Sequence, residues 1–297
     1  MPFSTDNEEK RDETIKEVMS KISKADNRNE EGLRIVVAGK GGVGKTTISA
    51  ILSYIISRSG KKVLAVDEDP QMNLPFALGI DSSTANNITP LNKHLDYIEE
   101  KTGARPGEGW GMFIKLNPEV DDVVERFGVN VTDNLKLLVM GTISKPDIGC
   151  ACPENDLLSA VMNHISLKRN EIIVLDTEAG LEHFGRAIAK GFRHAIIVSE
   201  PTFNSFYVAE KAGKLSKDLG IEHVHYIFNK IRNGEEKKRC EEFAKKIGGD
   251  NEFVYLPFDN LLYESEPSVL KTLNTENETL GILSKLLNTI YSTKHVT

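Results

Sequence analysis

From residue 33 onward, short apolar runs rich in Val, Ile and Leu alternate with longer amphipathic stretches. The runs at 33–38, 62–66, 113–116, 135–139, 172–175, 195–198, 224–228 and 253–256 predict strands. Helix-length segments lie between several of them, for example 46–59 after the first and 204–219 after the sixth, closed by Gly60 and Gly220. Strands that are apolar nearly throughout must be covered on both faces, so the alternation predicts an α/β fold of three layers, α/β/α, with a mostly parallel central sheet. Residues 81–134 are less regular and include a Gly-rich segment at 102–111. No repeat, linker or change of composition divides residues 32–297, which are expected to form one domain although 297 residues would by length alone suggest two.

Residues 1–31 differ from the rest. They hold nine acidic and six basic residues and almost no aromatic ones, too little apolar surface to fold alone, and are read as a charged N-terminal extension. Ile15, Val18, Met19 and Ile22 recur at helical spacing, so a short amphipathic helix is the alternative to a solvated tail. Over the whole chain, 39% hydrophobic and 27% charged residues describe a globular protein and exclude collagen and general disorder. No apolar run approaches the ~18–20 residues of a membrane span. The acidic start lacks the basic and apolar regions of a signal peptide, so a cytoplasmic location is expected. A net charge of −7 argues against a nucleic-acid surface, which neutralises phosphates with Lys and Arg. Three cysteines, Cys150, Cys152 and Cys240, are too few for a disulfide framework.

The first strand runs into Gly39, Lys40, Gly41, Gly42, Val43, Gly44, Lys45 and Thr46, with Thr47 following. This fits the G-x-x-x-x-G-K-[ST] phosphate loop in its strand–loop–helix setting, and the fold is then that of a phosphate-loop NTPase. Glycines let the backbone wrap phosphates with N–H groups at a helix N-terminus. Lys45 is expected to reach the β- and γ-phosphates and the Thr46 hydroxyl to ligate Mg²⁺. Lys40, inside the loop, is the distinguishing residue. The run KGGVGKTT resembles the deviant phosphate loop of the MinD/ParA/nitrogenase iron-protein group of ATPases. That resemblance implies that Lys40 reaches the nucleotide of a second subunit, so that the chain dimerises around ATP. The alternative is a local charge beside its own triphosphate.

Carboxylates at the C-terminal ends of parallel strands face the ligand crevice of such sheets. After the second strand comes Asp67-Glu68-Asp69-Pro70-Gln71. By resemblance Asp69 positions the hydrolytic water and Asp67 supports the metal shell, whereas an Asp-Pro loop whose side chain caps a helix is the structural alternative. Asp176, at the end of 172–175, fits the carboxylate that orders Mg²⁺ in phosphate-loop NTPases, and Gly180 follows as a backbone sensor of the γ-phosphate. His183, beside Glu182, is read as a switch or surface residue. The resemblance further places Asn229, with Lys230, and the run 256–259 beside the adenine.

Cys150 and Cys152 flank one alanine, and two thiolates supply half of a four-sulfur site for a soft metal. A dimer would supply the other half. With AGKGGVGKTT at 38–47, VDEDPQMNLPFALG at 66–79, KLNPEVDD at 115–122, CAC at 150–152, LDTEAGLEHFGR at 175–186 and FNKIRN at 228–233, the chain resembles the CooC-type nickel-insertion ATPases. The resemblance spans about residues 33–262 and does not cover the N-terminal extension. It implies Ni²⁺ or Zn²⁺ bound between the paired cysteines of two subunits, and ATP hydrolysis coupled to nickel insertion, with carbon monoxide dehydrogenase or acetyl-CoA synthase as client. A structural zinc site that only fastens the dimer is the alternative. Four thiolates also suit an iron–sulfur cluster of an electron-donating ATPase of the nitrogenase iron-protein kind, but that family carries a cysteine beyond its second switch and residues 176–203 contain none. A localisation ATPase of the MinD/ParA kind is the third reading. The C-terminal pattern Leu280, Leu283, Leu286, Leu287 and Ile290 is amphipathic, yet only Lys285 and Lys294 are basic across 280–297, so attraction to anionic lipid is weak and packing on the sheet is expected in place of stable membrane association. Cys240 lies in a charged helical stretch and is read as a bystander.

Overall fold

Eight strands form one sheet in the computed structural model, which describes residues 32–106, 118–141, 153–167, 171–178, 191–275 and 277–293. In chain order the strands are β1 (Arg34–Gly39), β2 (Val63–Asp67), β3 (Val129–Thr132), β4 (Leu135–Val139), β5 (Ile172–Asp176), β6 (His194–Ser199), β7 (His223–Ile231) and β8 (Glu252–Pro257). The helices are α1 (Lys45–Arg58), α2 (Leu74–Ala77), α3 (Ser82–Asn86), α4 (Leu95–Thr102), α5 (Val123–Phe127), α6 (Pro153–Leu167), α7 (Phe203–Asp218), α8 (Gly234–Ile247), α9 (Asn260–Ser265), α10 (Leu270–Leu273) and α11 (Glu278–Thr293). The spatial order of the strands is β3-β4-β2-β5-β1-β6-β7-β8, parallel except where β3 runs antiparallel to β4. β1, β2, β5 and β6 are buried at every position, as strands covered on both faces must be.

Alternate residues of these strands feed two cores. Ile35 and Val37 face a layer built from α1, α2 and α11, while Val36 and Ala38 face one built from α4 to α8. The expected three-layer α/β/α architecture is therefore present. Leu280, Leu283, Leu286, Leu287 and Ile290 of α11 are all buried, and the helix packs on α1 and β8. Among the described residues no helix is long and apolar enough to cross a membrane. Cys240 sits in the second core, where burial pushes its thiol up to about 12 and keeps it protonated.

Seven of the eight sequence-predicted strands coincide with β1, β2 and β4 to β8, with ends shifted by up to three residues. The eighth, at 113–116, lies outside the described residues, as do residues 1–31 with their possible helix. The strand not predicted is β3. It is four residues long at the sheet edge and alternates half-buried with exposed positions, too short a pattern to stand out within 81–134.

Candidate functional site

β1 ends near the centre of the sheet, flanked by β5 on one side and β6 on the other, and the chain's strands are laid down to both sides of it. This is the topological switch point at which open α/β sheets bind ligands. A cleft of 540 Å³ opens there, lined by Gly41, Gly42 and residues 44–47 of the loop and by Asp69, Glu178, Asn229, Lys230 and Phe258 among others. The loop can adopt its course because of its glycines. Gly39 has φ +147°, and a Cβ on it would collide with the carbonyl oxygen of Val198 on the neighbouring β6. Gly44 has φ +98°, and a Cβ there would sit 2.6 Å from Asn229 Nδ2.

Lys45 opens α1 and is only 6% exposed. Its Nζ lies 3.5 Å from the carbonyl oxygen of Lys40, whose own side chain is exposed. Burial pulls the Lys45 ammonium below its ordinary value, opposed by the charges of Asp176, Asp69 and Glu178. Asp176 is fully buried, and Ser49 Oγ donates to its Oδ1 at 3.1 Å. Burial raises its pKa to about 6, against the opposing effect of Thr46, Lys45 and Ser49. Its Oδ2 is buried without a hydrogen-bond partner among the described residues. A fully buried carboxylate oxygen beside a threonine hydroxyl at a helix N-terminus fits a Mg²⁺ shell next to bound phosphates.

Asp67 and Asp176 are register partners across β2 and β5. Burial, then the neighbouring Asp176, holds the Asp67 carboxyl well above the usual carboxylate range. Both its oxygens accept backbone N–H groups, Oδ1 from Asp69 at 2.9 Å and Oδ2 from Leu74 at 3.1 Å. Asp67 thus shapes the turn that leads into α2. Asp69 is half-buried on the cleft wall, where its Oδ1 accepts from Gln71 N at 2.8 Å.

Sequence reasoning assigned nothing to Glu68. It is 1% exposed, and neither of its oxygens has a hydrogen-bond partner among the described residues. Burial first, then Glu178, Asp67 and Asp176, push its carboxyl up to about 8. The one available signal was a third acidic residue directly after an apolar strand. Its burial follows from the ladder continuing past β2, where Glu68 N donates to Asp176 O at 3.0 Å.

On the other side of the loop, the β7–β8 register breaks between Phe228 and Ile231. That irregularity frees Asn229 and Lys230 from the ladder. Asn229 Nδ2 donates to the Val43 carbonyl at 2.9 Å and its Oδ1 accepts from Lys230 N at 2.9 Å. Lys230 has φ +61°, a left-handed conformation costing a non-glycine residue ~1–2 kcal/mol. Its Nζ donates to Gly42 O at 2.5 Å and to Glu200 Oε1 at 2.7 Å. Phe258 lies beyond, with the Arg232 guanidinium 4.7 Å from its ring centroid.

The structure thus brings together residues 39–47, Asp67, Asp69, Asp176, Asn229 and Lys230. Cys150, Cys152, Gly180, Glu182 and His183 lie outside the described residues. Among the described residues no group of three or more His, Cys, Asp or Glu side chains is placed to hold a metal ion by itself.

A family profile, the CobQ/CobB/MinD/ParA nucleotide binding domain, matches residues 34–269. An uncharacterized ATP-binding protein of Methanocaldococcus jannaschii is 39% identical over 265 residues, 89% of this chain and 100% of the relative. The carbon monoxide dehydrogenase accessory protein CooC of Rhodospirillum rubrum is 40% identical over 199 residues, 67% of this chain and 74% of the relative. Among solved structures, a ParA family ATPase of Chlorobium tepidum superposes with a TM-score of 0.62 at 20% identity, covering 87% of this chain and 99% of the other. A chain of the MinC:MinD cell division protein complex of Aquifex aeolicus gives 0.60 at 23% identity, covering 86% and 95%. The chain belongs to the CobQ/CobB/MinD/ParA nucleotide-binding family and is, within it, a CooC-type ATPase.

Proposed function

We propose that this ATPase delivers a metal, pairing with a second copy of itself around ATP and coupling hydrolysis to nickel insertion into carbon monoxide dehydrogenase or acetyl-CoA synthase. In this reading the N–H groups of residues 39–47 wrap the phosphates and Lys45 offsets the charge that builds on the β,γ-bridge. Thr46 and Asp176, with Asp67 behind them, hold Mg²⁺, which when bound neutralises phosphate charge. Asp69 orients the attacking water, Gly180 senses the γ-phosphate through its N–H, and Asn229 with Lys230 closes the base side of the cleft.

Lys40 reaches across to the partner's nucleotide. Its exposed side chain is compatible with that role, because none of the described residues buries it. Cys150 and Cys152 of two chains together take Ni²⁺ or Zn²⁺ as cargo, a tetrahedral four-thiolate set that one chain cannot complete. Residues 1–31 are an extension to the domain at 32–297, and the protein works in the cytoplasm.

The observation that carries this reading is the 40% identity to a protein named as an accessory factor of carbon monoxide dehydrogenase. The burial of the apolar face of α11 weighs against a membrane-localised MinD/ParA-like role. The deciding experiment is activation of nickel-free carbon monoxide dehydrogenase by this protein with ATP and Ni²⁺. Full-length protein is expected to activate it, and the Cys150→Ala/Cys152→Ala variant is expected to bind no interfacial metal and to fail. Retention of about one metal per two chains by that variant would reject the cysteine site. Unchanged ATP-dependent dimerisation of Lys40→Ala would reject the reach across the dimer.

A further inference from the structure

The phosphate loop is held from behind by a chain of side chains that starts at Glu200, a residue no motif singles out. Glu200 follows the last residue of β6, where its N–H donates to Ser205 Oγ at 2.9 Å. Ser199 Oγ donates to the same hydroxyl at 3.0 Å, and Thr202 caps α7 by accepting from Ser205 N. The carboxylate of Glu200 accepts from Lys230 Nζ at 2.7 Å, both side chains being about one-third exposed. The same ammonium donates to Gly42 O, and the adjacent Asn229 amide donates to Val43 O. Two successive carbonyls of the loop are therefore tied to the side facing β7.

In a trans peptide the C=O and N–H point in opposite directions. Fixing the Gly42 and Val43 carbonyls outward turns the N–H groups of Val43 and Gly44 the other way. Lys230 keeps a left-handed backbone while its side chain reaches Gly42, and a conformation this unfavourable persists where surrounding contacts hold it. Glu200 supplies one such contact, a charge-assisted hydrogen bond from a fixed strand end.

We propose that Glu200 is a positioning residue: through Lys230 it fixes the Gly42 carbonyl, and with it the Gly42–Val43 peptide, so that the Val43 N–H is turned toward the β-phosphate of the nucleotide. The inference rests on the nucleotide reading of this loop. It gives Glu200 a role in preorganising the site for a diphosphate without touching the nucleotide itself.

The test uses the full chain and two probes, ADP and AMP, measured by competition against a fluorescent ADP analogue. Glu200→Gln keeps the shape of the side chain and removes its charge. It is expected to weaken ADP about three- to tenfold while AMP, which has no β-phosphate, changes less than about twofold. Lys230→Met is expected to weaken ADP at least as much as Glu200→Gln, and the double variant to be no weaker toward ADP than the worse single variant, because the two residues act in series. Equal weakening of ADP and AMP, no weakening of ADP, or additive losses in the double variant would each overturn the proposal. Lys45→Ala separates the two levels of inference. If it leaves ADP binding intact, the nucleotide reading itself fails; if it weakens ADP while Glu200→Gln does not, only the role of Glu200 fails.

Discussion

Replacing Glu68 by glutamine removes an ionisable group that the fold holds uncharged. The carboxyl is 1% exposed, lacks a hydrogen-bond partner among the described residues, and faces the acidic neighbours Glu178, Asp67 and Asp176. Its pKa is raised from 4.5 to about 8. A raised carboxyl pKa means that the folded chain keeps a proton that the unfolded chain releases. Stability is then unaffected below pH 4.5, falls as pH rises between 4.5 and about 8, and is level again above that. At ~1.36 kcal/mol per pKa unit the full fall amounts to roughly 5 kcal/mol, a large share of the ~5–15 kcal/mol stability of a domain. Glutamine has nearly the same shape and no such fall. Asp67, Asp176 and Glu178 remain in both proteins, so the difference between them isolates Glu68. The assay is urea unfolding of nucleotide-free protein in EDTA, followed by circular dichroism from pH 4.5 to 9. Glu68→Gln is expected to gain on the native protein steadily up to about pH 8, by as much as ~5 kcal/mol, and to hold that gain above it. A gap that is constant with pH, or that narrows as pH rises, refutes the placement of a neutral carboxyl at this position.

Further outcomes follow from the same geometry. Gly39→Ala forces a Cβ against the Val198 carbonyl at φ +147° and is expected to cost about 2–5 kcal/mol, read as a lower urea midpoint; an unchanged midpoint contradicts the tight β1–β6 approach. Leu283→Ala removes a fully buried side chain from the α11 layer and is expected to cost about 2–4 kcal/mol in the same assay, a loss that a helix facing lipid or solvent would not show. Asp176, with its pKa raised to about 6, must lose its proton to hold Mg²⁺. Mg²⁺ retention by the ADP complex is expected to weaken as pH falls through 6, read from Mg²⁺ titrations at pH 5, 6 and 7; a flat response removes Asp176 from the metal shell.

Much of this protein was legible along the chain because its informative features are local. A phosphate loop is one contiguous run between a strand and a helix, and its chemistry is carried by backbone N–H groups, one lysine and one hydroxyl. The strands covered on both faces announce themselves as unbroken apolar runs, and 135–139 matches β4 at both ends. β3 escaped because four alternating residues at an edge carry too little pattern.

By itself the sequence determined the three-layer class, the place of the nucleotide loop, and the acidic residues at the ends of β2 and β5. Only the tertiary structure decided how those groups behave. Burial and like charge are properties of what surrounds a side chain, so nothing in the run from Asp67 to Asp69 distinguishes the half-buried Asp69 on the cleft wall from the buried Glu68 held neutral. Nor can spacing reveal that Lys230 rests on Gly42, 188 residues away, with Glu200 behind it. Such contacts exist only once parallel strands distant in sequence lie side by side, because the sheet, not the chain order, sets which strand ends are neighbours.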